Sequence, residues 1–496
     1  MRTDKLLLFS CLLIFVIFNS KVISQSLFQK NYGNVNEDYG RGICQTADTG
    51  FYISGGTNSF TESTNLYLFN IDKNGNLIWS NNIGGDNIDW GISVIETQDG
   101  GAAVLGYTNS FGAGGYDFYL IKSDSQGNIL WQKTYGGADW DFGYSIAEDN
   151  LGNLYLAGET YSYGSGNNDG YIIKTNNNGE IIWEKTIGTG LFEKISKIIL
   201  LNNDNVAYAA TQEADSQGSS GEFVVGTIDP LGNEIWQIIY SNDSDDEIAD
   251  IIESGDNNLV FTGTMNPGII GQSDTYFQKI SLLNGDYILS NSIGLSNSDD
   301  IAKCVIELSN NDLLISTTSY PGTFGNGDFV NTRLNQEGFL VPGYTSMGYL
   351  GTDILYSICK TAENGYAVTG QSDSFGDLNN QVLVCIVDSN NQNIDYTGVI
   401  DIIDNFSINV TPLEYSNKPN TKIYPNPFSS SIQINGGENI IDQLVIKDPL
   451  GNIILKEDFE NGNEIDLSIL SDGFYFIELN NNEKIVSRTK IVKNSN

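Results

Sequence analysis

The stretch "GNILWQKTYGGADWDFGYSI", residues 127–146, decides how this chain is read. It holds Trp131 and Trp140, paired glycines at Gly136 and Gly137, and two carboxylates, Asp139 and Asp141, on either side of Trp140. Such a stretch could be a sugar-cleaving site, a calcium loop, or the way a chain turns a corner. Sliding it along the sequence separates these, because it recurs. Aligned on the segment that ends in Trp, the chain divides into units 26–79, 80–131, 132–183, 184–236, 237–289, 290–341 and 342–395. A fixed period of this size marks a repeat architecture, in which each unit is one module that buries its apolar surface against its neighbours.

Within a unit four short pieces follow in order, as in "GYSIAED", "NLYLAGET", "DGYIIKTN" and "EIIWEKT" of the third. They are rich in Ile, Tyr, Val and Thr and are separated by clusters such as "NLGN" and "NNNG", so antiparallel strands joined by tight turns are expected. Four strands in each of seven units predict an all-β chain with a seven-bladed β-propeller over residues 25–401. "SLFQKNYG" at 26–33 matches "ILWQKTYG" at 129–136, and "NIDYTGVID" at 393–401 holds the same place after the seventh unit. One of these copies is expected to supply the outer strand of the last blade, leaving no long open edge, and the N-terminal copy is the better match. The inner strands are expected to be apolar on both faces. Ile43, Val94, Ile146, Ile198, Ile251, Cys304 and Ile358 would fill one, and Cys44, Ile95, Ala147, Ile199, Ile252, Val305 and Cys359 the other.

The elements "DGG", "S-x-G-x-G", "D-x-Y-x-I-K" and "G-N-x-x-W" resemble those of bacterial SBBP/delta-60-like β-propeller repeats, clearly in units two and three and faintly in five and six. That family is a scaffold class with no shared activity, so the resemblance implies a fold and little more.

The charge balance narrows the function classes. With 24 Lys+Arg against 62 Asp+Glu the formal net charge is -38, which repels phosphate backbones and anionic lipid surfaces, so nucleic acid is excluded as a partner. Histidine is absent, which removes Ser-His-Asp and Cys-His chemistry and the commonest zinc ligand. Catalysis would have to run on carboxylates, Tyr, Lys or a bound hard cation. At the N-terminus, "MRTDK", an apolar run from Leu6 to Phe18 and the small Ser24 read as a secretory signal peptide over residues 1–24. Cys11 lies inside the apolar run instead of ending it, which argues against a lipoprotein signal. No later segment approaches the ~20 apolar residues of a spanning helix, so an integral membrane protein is not expected. Cys44, Cys304, Cys359 and Cys385 each sit in an apolar strand-like run and are expected to be buried free thiols.

After residue 401 the pattern breaks. Residues 402–420 read as a linker, and residues 421–496 as a small Ig-like β-sandwich of alternating strands. The motifs "YPNP" (Tyr424, Pro425, Asn426, Pro427), "DPLGN" with Gly451, "LSDGFYFIEL" around Gly473 and "KIVK" at 490–493 follow in order. Together they resemble the C-terminal sorting domain of the type IX (Por) secretion system. The resemblance implies the type IX machinery as a partner, and an extracellular or outer-surface location reached through the periplasm.

Asp141 can then be weighed. Asp38, Asp89, Glu193, Asp246, Asp300 and Asp353 stand at the same place in the other units. A catalytic constellation is needed once, whereas a turn-holding carboxylate is needed at every equivalent turn. A ring of such acids holding calcium is the one cofactor the sequence allows; otherwise none is expected. Trp79, Trp131, Trp183 and Trp236 also recur and read as packing between blades. Trp90 and Trp140, in the turns before the inner strands with Tyr39 and Phe142 nearby, do not recur in the same way, and Asp139 is an acid beyond the repeated one. These three are the candidate ligand-binding residues, for a glycan or a protein. The sequence thus reads as a non-catalytic surface or secreted interaction module. The alternative is a carboxylate- or calcium-dependent polysaccharide-active enzyme.

Overall fold

The computed structural model describes residues 27–493 except 35, 62, 214–220, 241–245, 267–272, 295–297, 322–325, 342–344, 348–350, 375–379, 389–398, 402–421, 425–428, 436–442, 448–452, 459–463, 472 and 482–483. The expected signal peptide, the linker, Pro425, Asn426, Pro427 and Gly451 lie outside the described residues, while Tyr424 ends one strand and Gly473 opens another.

Among the described residues the regular structure is all β. Asp38–Gln45, Phe51–Thr57, Asn65–Ile71 and Leu77–Ile83 form one antiparallel sheet in chain order, and the same order repeats from Asp89, Asp141, Glu193, Glu247 and Asp299. Turn chemistry sets the register of each hairpin. In "DSQGN", residues 124–128, the Asp124 carboxylate accepts the N–H groups of Gln126 at 3.0 Å and Asn128 at 2.8 Å, and Gly127 takes φ +83°. A Cβ on Gly127 would also come within 2.6 Å of the Trp79 ring, so conformation and packing both demand glycine there.

The two middle strands of a sheet are buried on both faces, as Leu154–Thr160 and Asp169–Thr175 are along their whole length. Each apolar cluster is therefore shared by two adjacent sheets: Tyr52, Leu66 and Leu68 of the first pack on Val94, Val104 and Tyr119 of the second. Backbone bonds stitch the same joints. The N–H of the acid at each inner-strand start donates to the carbonyl at the start of the preceding sheet's third strand, Asp89 to Thr64 at 2.7 Å and Asp141 to Tyr116 at 2.6 Å. The outer-strand tryptophans do pack between sheets. The indoles of Trp79, Trp183 and Trp236 donate to Ser125, Pro230 and Leu282 carbonyls in the following sheet, each at 3.1 Å.

The last sheet joins both ends of the repeat region. Asp353–Lys360, Tyr366–Ser372 and Gln381–Val387 are completed by Phe28–Gly33, which pairs antiparallel with Gln381–Val387, and Val399–Asp401 adds a parallel fifth strand outside it. Both copies of the duplicated motif are thus used, the N-terminal one as the closing strand. Asp38 N–H donates to Asn380 O at 2.9 Å, and Phe28 and Tyr32 share a buried cluster with Ile43, Phe51 and Tyr67 of the first sheet. Burying each such aromatic is worth about 1.5–3 kcal/mol. The sheets close on themselves as a β-propeller.

The inner strands are packed by a neighbouring sheet on either side, as expected: Ile43 lies in the cluster shared with the last sheet and Cys44 in the one shared with the second, and Val94 and Ile95 divide in the same way, the second residue of each pair being half-buried. One expectation needs correction: the frame of the sixth unit is one residue off. Cys304 pairs with Ser316 as Gly42 pairs with Ser54, so Val305, not Cys304, stands level with Ile43 and Val94. The sixth inner strand, Asp299–Glu307, begins one residue before its buried acid Asp300, which shifts a straight alignment by one; the β-bulge after the third residue from the acid is common to every inner strand. All four described thiols are free.

In the C-terminal region, Lys422–Tyr424, Ser431–Asn435 and Glu464–Asp466 form one sheet, and Ile453–Asp458, Gln443–Lys447, Gly473–Asn481 and Lys484–Lys493 another. Ile432, Ile434 and Ile465 of the first meet Leu444, Ile446 and Ile477 of the second in one core. Lys493 of the "KIVK" motif is buried and its ammonium donates to the carbonyls of Leu467 and Ser468, both at 2.9 Å.

Candidate ligand-binding site

The repeated acid is scaffold. Asp141 is fully buried, and its carboxylate accepts hydrogen bonds from Gly137 N–H at 2.7 Å, Ser162 Oγ at 2.8 Å and the Thr160 hydroxyl. Asp89 repeats the arrangement with Gly85 N–H and Ser110 Oγ, both at 2.8 Å, and the Thr108 hydroxyl. Each acid holds its own loop shut across the end of its sheet. Burial raises the Asp89 carboxyl to about 6, despite those hydrogen bonds. Asp117, at the start of a third strand, is raised to about 7 by burial and by the charge of Asp141. Among the described residues no three acids or cysteines converge as a metal site would require.

The candidate residues lie at the same end of the sheets but at different positions. Trp90 is the second residue of the inner strand Asp89–Glu96, inside the strand and not in the turn before it, and is half-buried. Trp140 immediately precedes the strand Asp141–Glu148 and is 53% exposed. A Cβ on Gly115 would fall 2.0 Å from Trp140 Cδ1, so the indole rests directly on that glycine's backbone. Asp139 is exposed, with its N–H on Ser162 Oγ at 3.1 Å.

What the structure adds is the row of rings between the tryptophans. Tyr39 lies 5.3 Å from Trp90 between centroids, and Trp90 faces Tyr107 across the strand pair. Tyr107 meets Phe142 edge-on at 5.1 Å, Phe142 lies 6.3 Å from Trp140, and Trp140 lies 6.1 Å from Tyr161. The result is an aromatic arc along the channel mouth, spanning the first three sheets.

The bulge explains a second set of residues that the repeat alignment did not single out. At every inner strand the pairing skips the fourth residue, and a bulged residue is re-aimed off the ladder. The skipped residues are Arg41, Ile92, Tyr144, Ser196, Ala249, Lys303 and Tyr356. A sequence signal for them exists: a changing residue held between small ones, as in Gly40-Arg41-Gly42 and Gly143-Tyr144-Ser145. Tyr144 donates to the Glu159 carboxylate at 2.5 Å, and Asn168 donates to the other Glu159 oxygen. Beside them opens a depression of about 410 Å³ lined by Glu159, Tyr161, Lys194, Glu213 and Glu247 among others. Lys194 pairs with Glu247 at 2.5 Å and stands 5.8 Å from the Tyr144 ring centroid.

A family model matches residues 422–494, that of the secretion system C-terminal sorting domain. The chain ends in a type IX sorting domain. That domain addresses the chain to the type IX secretion machinery and so toward the cell surface or the extracellular space. No curated protein matches the chain. Solved structures similar in shape include PorZ, a surface component of the type IX system of Porphyromonas gingivalis (11% identity, covering 91% of this chain and 59% of that one, TM-score 0.41). Two others are an α-L-arabinanase of Penicillium chrysogenum (11%, 74% and 94%, TM-score 0.41) and a puromycin hydrolase (10%, 89% and 58%, TM-score 0.49). The fold assignment rests on the strand pairing described above. Among the described residues no helix is long and apolar enough to cross a membrane.

Proposed function

We propose that this is a seven-bladed β-propeller followed by an Ig-like β-sandwich, exported by type IX secretion to bind a glycan at the channel mouth, without catalysis and without a cofactor. The observation that carries the reading is the aromatic arc that holds the half-exposed Trp140. Flat aromatic faces offer apolar area to the C–H faces of sugar rings, and the exposed Asp139 beside Trp140 offers an acceptor to hydroxyls. The sorting domain places such a surface where polysaccharides are met.

The test is a glycan array on the secreted chain, followed by titration of the best ligand against Trp140→Ala. Binding is expected to fall at least about tenfold with the melting temperature within a degree or two, because an exposed ring adds contact area and little stability. Lower stability with unchanged affinity would make Trp140 a cover for the sheet end and remove the reading.

One observation favours a second reading, polysaccharide cleavage by a carboxylate pair. Burial raises the Glu159 carboxyl, whereas at Glu247 desolvation is outweighed by the charge and hydrogen bond of Lys194 together with the charge of Lys303, which lower it. Two acids pushed apart beside one depression are what an acid and a base require. Release of reducing ends from the array's ligands, abolished by Glu159→Gln, would establish it. Binding without release supports the first reading.

A further inference from the structure

Six described cations of the sheets are ion-paired. Lys122 with Asp99, Lys174 with Asp149, Lys279 with Asp256 and Arg333 with Asp312 all lie within 3.2 Å, and each ties the end of a third strand to the first turn of its sheet. In the channel, Lys194 is paired with Glu247 and Lys197 with Asp250. Two cations remain. Arg41 and Lys303 are both bulge residues of inner strands, on either side of the bulge residue Tyr356 around the ring. The Arg41 guanidinium stands 3.7 Å from the Tyr356 ring centroid and 5.0 Å from that of Trp90, and the Lys303 ammonium 5.8 Å from that of Tyr356. Among the described residues neither has a carboxylate within ion-pair distance, and Arg41 Nε is buried with no hydrogen-bond partner.

Leaving a buried guanidinium N–H unpaired is costly, and a guanidinium beside an ammonium adds repulsion to that cost. Burial lowers the Lys303 ammonium, and Arg41 and Lys194 push it the same way, against the attraction of Glu247. An anion seated between the two cations would supply the missing acceptors. The guanidinium edge suits a planar carboxylate, which it can hold with two parallel bonds, while its face stays stacked on Tyr356. Glu247, the acid that attracts Lys303, is itself paired with Lys194 at 2.5 Å, so it leaves both cations short of an acceptor.

We propose that Arg41 and Lys303 form a carboxylate site in the channel, beside the Trp90 end of the aromatic arc, and that the glycan bound is a uronate-bearing one. This rests on the glycan-binding reading and names its substrate class. The Arg41 guanidinium stands over the Trp90 ring and so joins the cations to the aromatic arc that the glycan reading assigns to sugar rings, which favours a sugar acid over an acidic peptide.

The experiment is calorimetric titration of the full secreted chain with tetragalacturonate, with its carboxyl-reduced neutral counterpart, and with tetraglutamate. The acid sugar is expected to bind at least about tenfold tighter than the neutral one, the worth of one charge-assisted bond pair. Arg41→Gln should erase that preference, read as the ratio of the variant's affinities for the acid and the neutral sugar. Lys303→Gln should reduce it several-fold and serves as the test if Arg41→Gln does not fold. Equal affinity for the two sugars, or a preference that survives both substitutions, overturns the carboxylate site and leaves the glycan reading standing. Tighter binding of tetraglutamate overturns the sugar assignment. Failure of both sugars here, together with a blank glycan array, removes the glycan reading itself.

Discussion

On each inner strand the first ring of side chains and the bulge three residues later make opposite use of the same repeat. At the strand start stands an acid in every sheet, buried and turned into its own loop, as Asp89 and Asp141 are. At the bulge the residue changes from Arg41 to Ile92, Tyr144, Ser196, Ala249, Lys303 and Tyr356, and each is half-buried on the channel side. The acid closes hydrogen bonds that every sheet must close, so its chemistry cannot vary. The bulged residue has been taken off the ladder, so any side chain fits and the position is free to carry specificity. Repetition therefore marks what the fold needs, and variation at a fixed geometric position marks what a ligand can read.

The largest effect that would break this contrast is at the acid. Asp141→Ala strands the N–H of Gly137 and the hydroxyls of Thr160 and Ser162, and is expected to cost about 2–4 kcal/mol in urea denaturation, against about 1 for Asp141→Asn, which keeps an acceptor. Unchanged stability with loss of ligand would turn Asp141 into a site residue and undo the comparison.

An intermediate effect is expected from pH. The Asp117 and Asp89 carboxyls, at about 7 and about 6, hold their protons more tightly folded than unfolded, where the value is near 3.9. Their stabilisation is present in full below the unfolded value and is lost as pH rises through the folded ones. The melting temperature should therefore fall between about pH 4 and about pH 7. Asp117→Asn should flatten that fall, which separates the buried pair from the general repulsion of a chain of net charge -38. An identical slope in the variant would assign the whole fall to the surface.

The smallest effect is at the bulge. Ser196 Oγ is buried with no hydrogen-bond partner, so Ser196→Ala should leave stability within about 0.5 kcal/mol or raise it slightly. A loss above about 2 kcal/mol would show the bulge position to be structural after all.

Much of this molecule was legible along the chain. Strand order, hairpin turns, the duplicated closing motif, the packing role of Trp79 and its counterparts and the sorting motifs all follow from local composition and period, because each is settled by contacts that every unit makes alike. Trp140 stood out because it broke the period, and the structure leaves it exposed within an arc. Tyr107, Tyr116 and Tyr161 were not legible as its neighbours, since they come from other strands and loops and meet it only when adjacent sheets pack.

The sequence by itself determined that the chain is an all-β repeat of four-stranded units ending in a sorting domain, and that histidine chemistry is excluded. Tertiary structure alone decided that both duplicated strands are used, that Cys304 lies one place off its apparent register, and that Arg41 and Lys303 share the channel without a carboxylate partner. The physical reason is that each depends on pairing between strands. The extra residue at the start of Asp299–Glu307 shows only in its register, a bulge re-aims a side chain off the ladder, and ring closure brings together residues more than two hundred and fifty positions apart, as Arg41 and Lys303 are. None of these leaves a trace in a linear period.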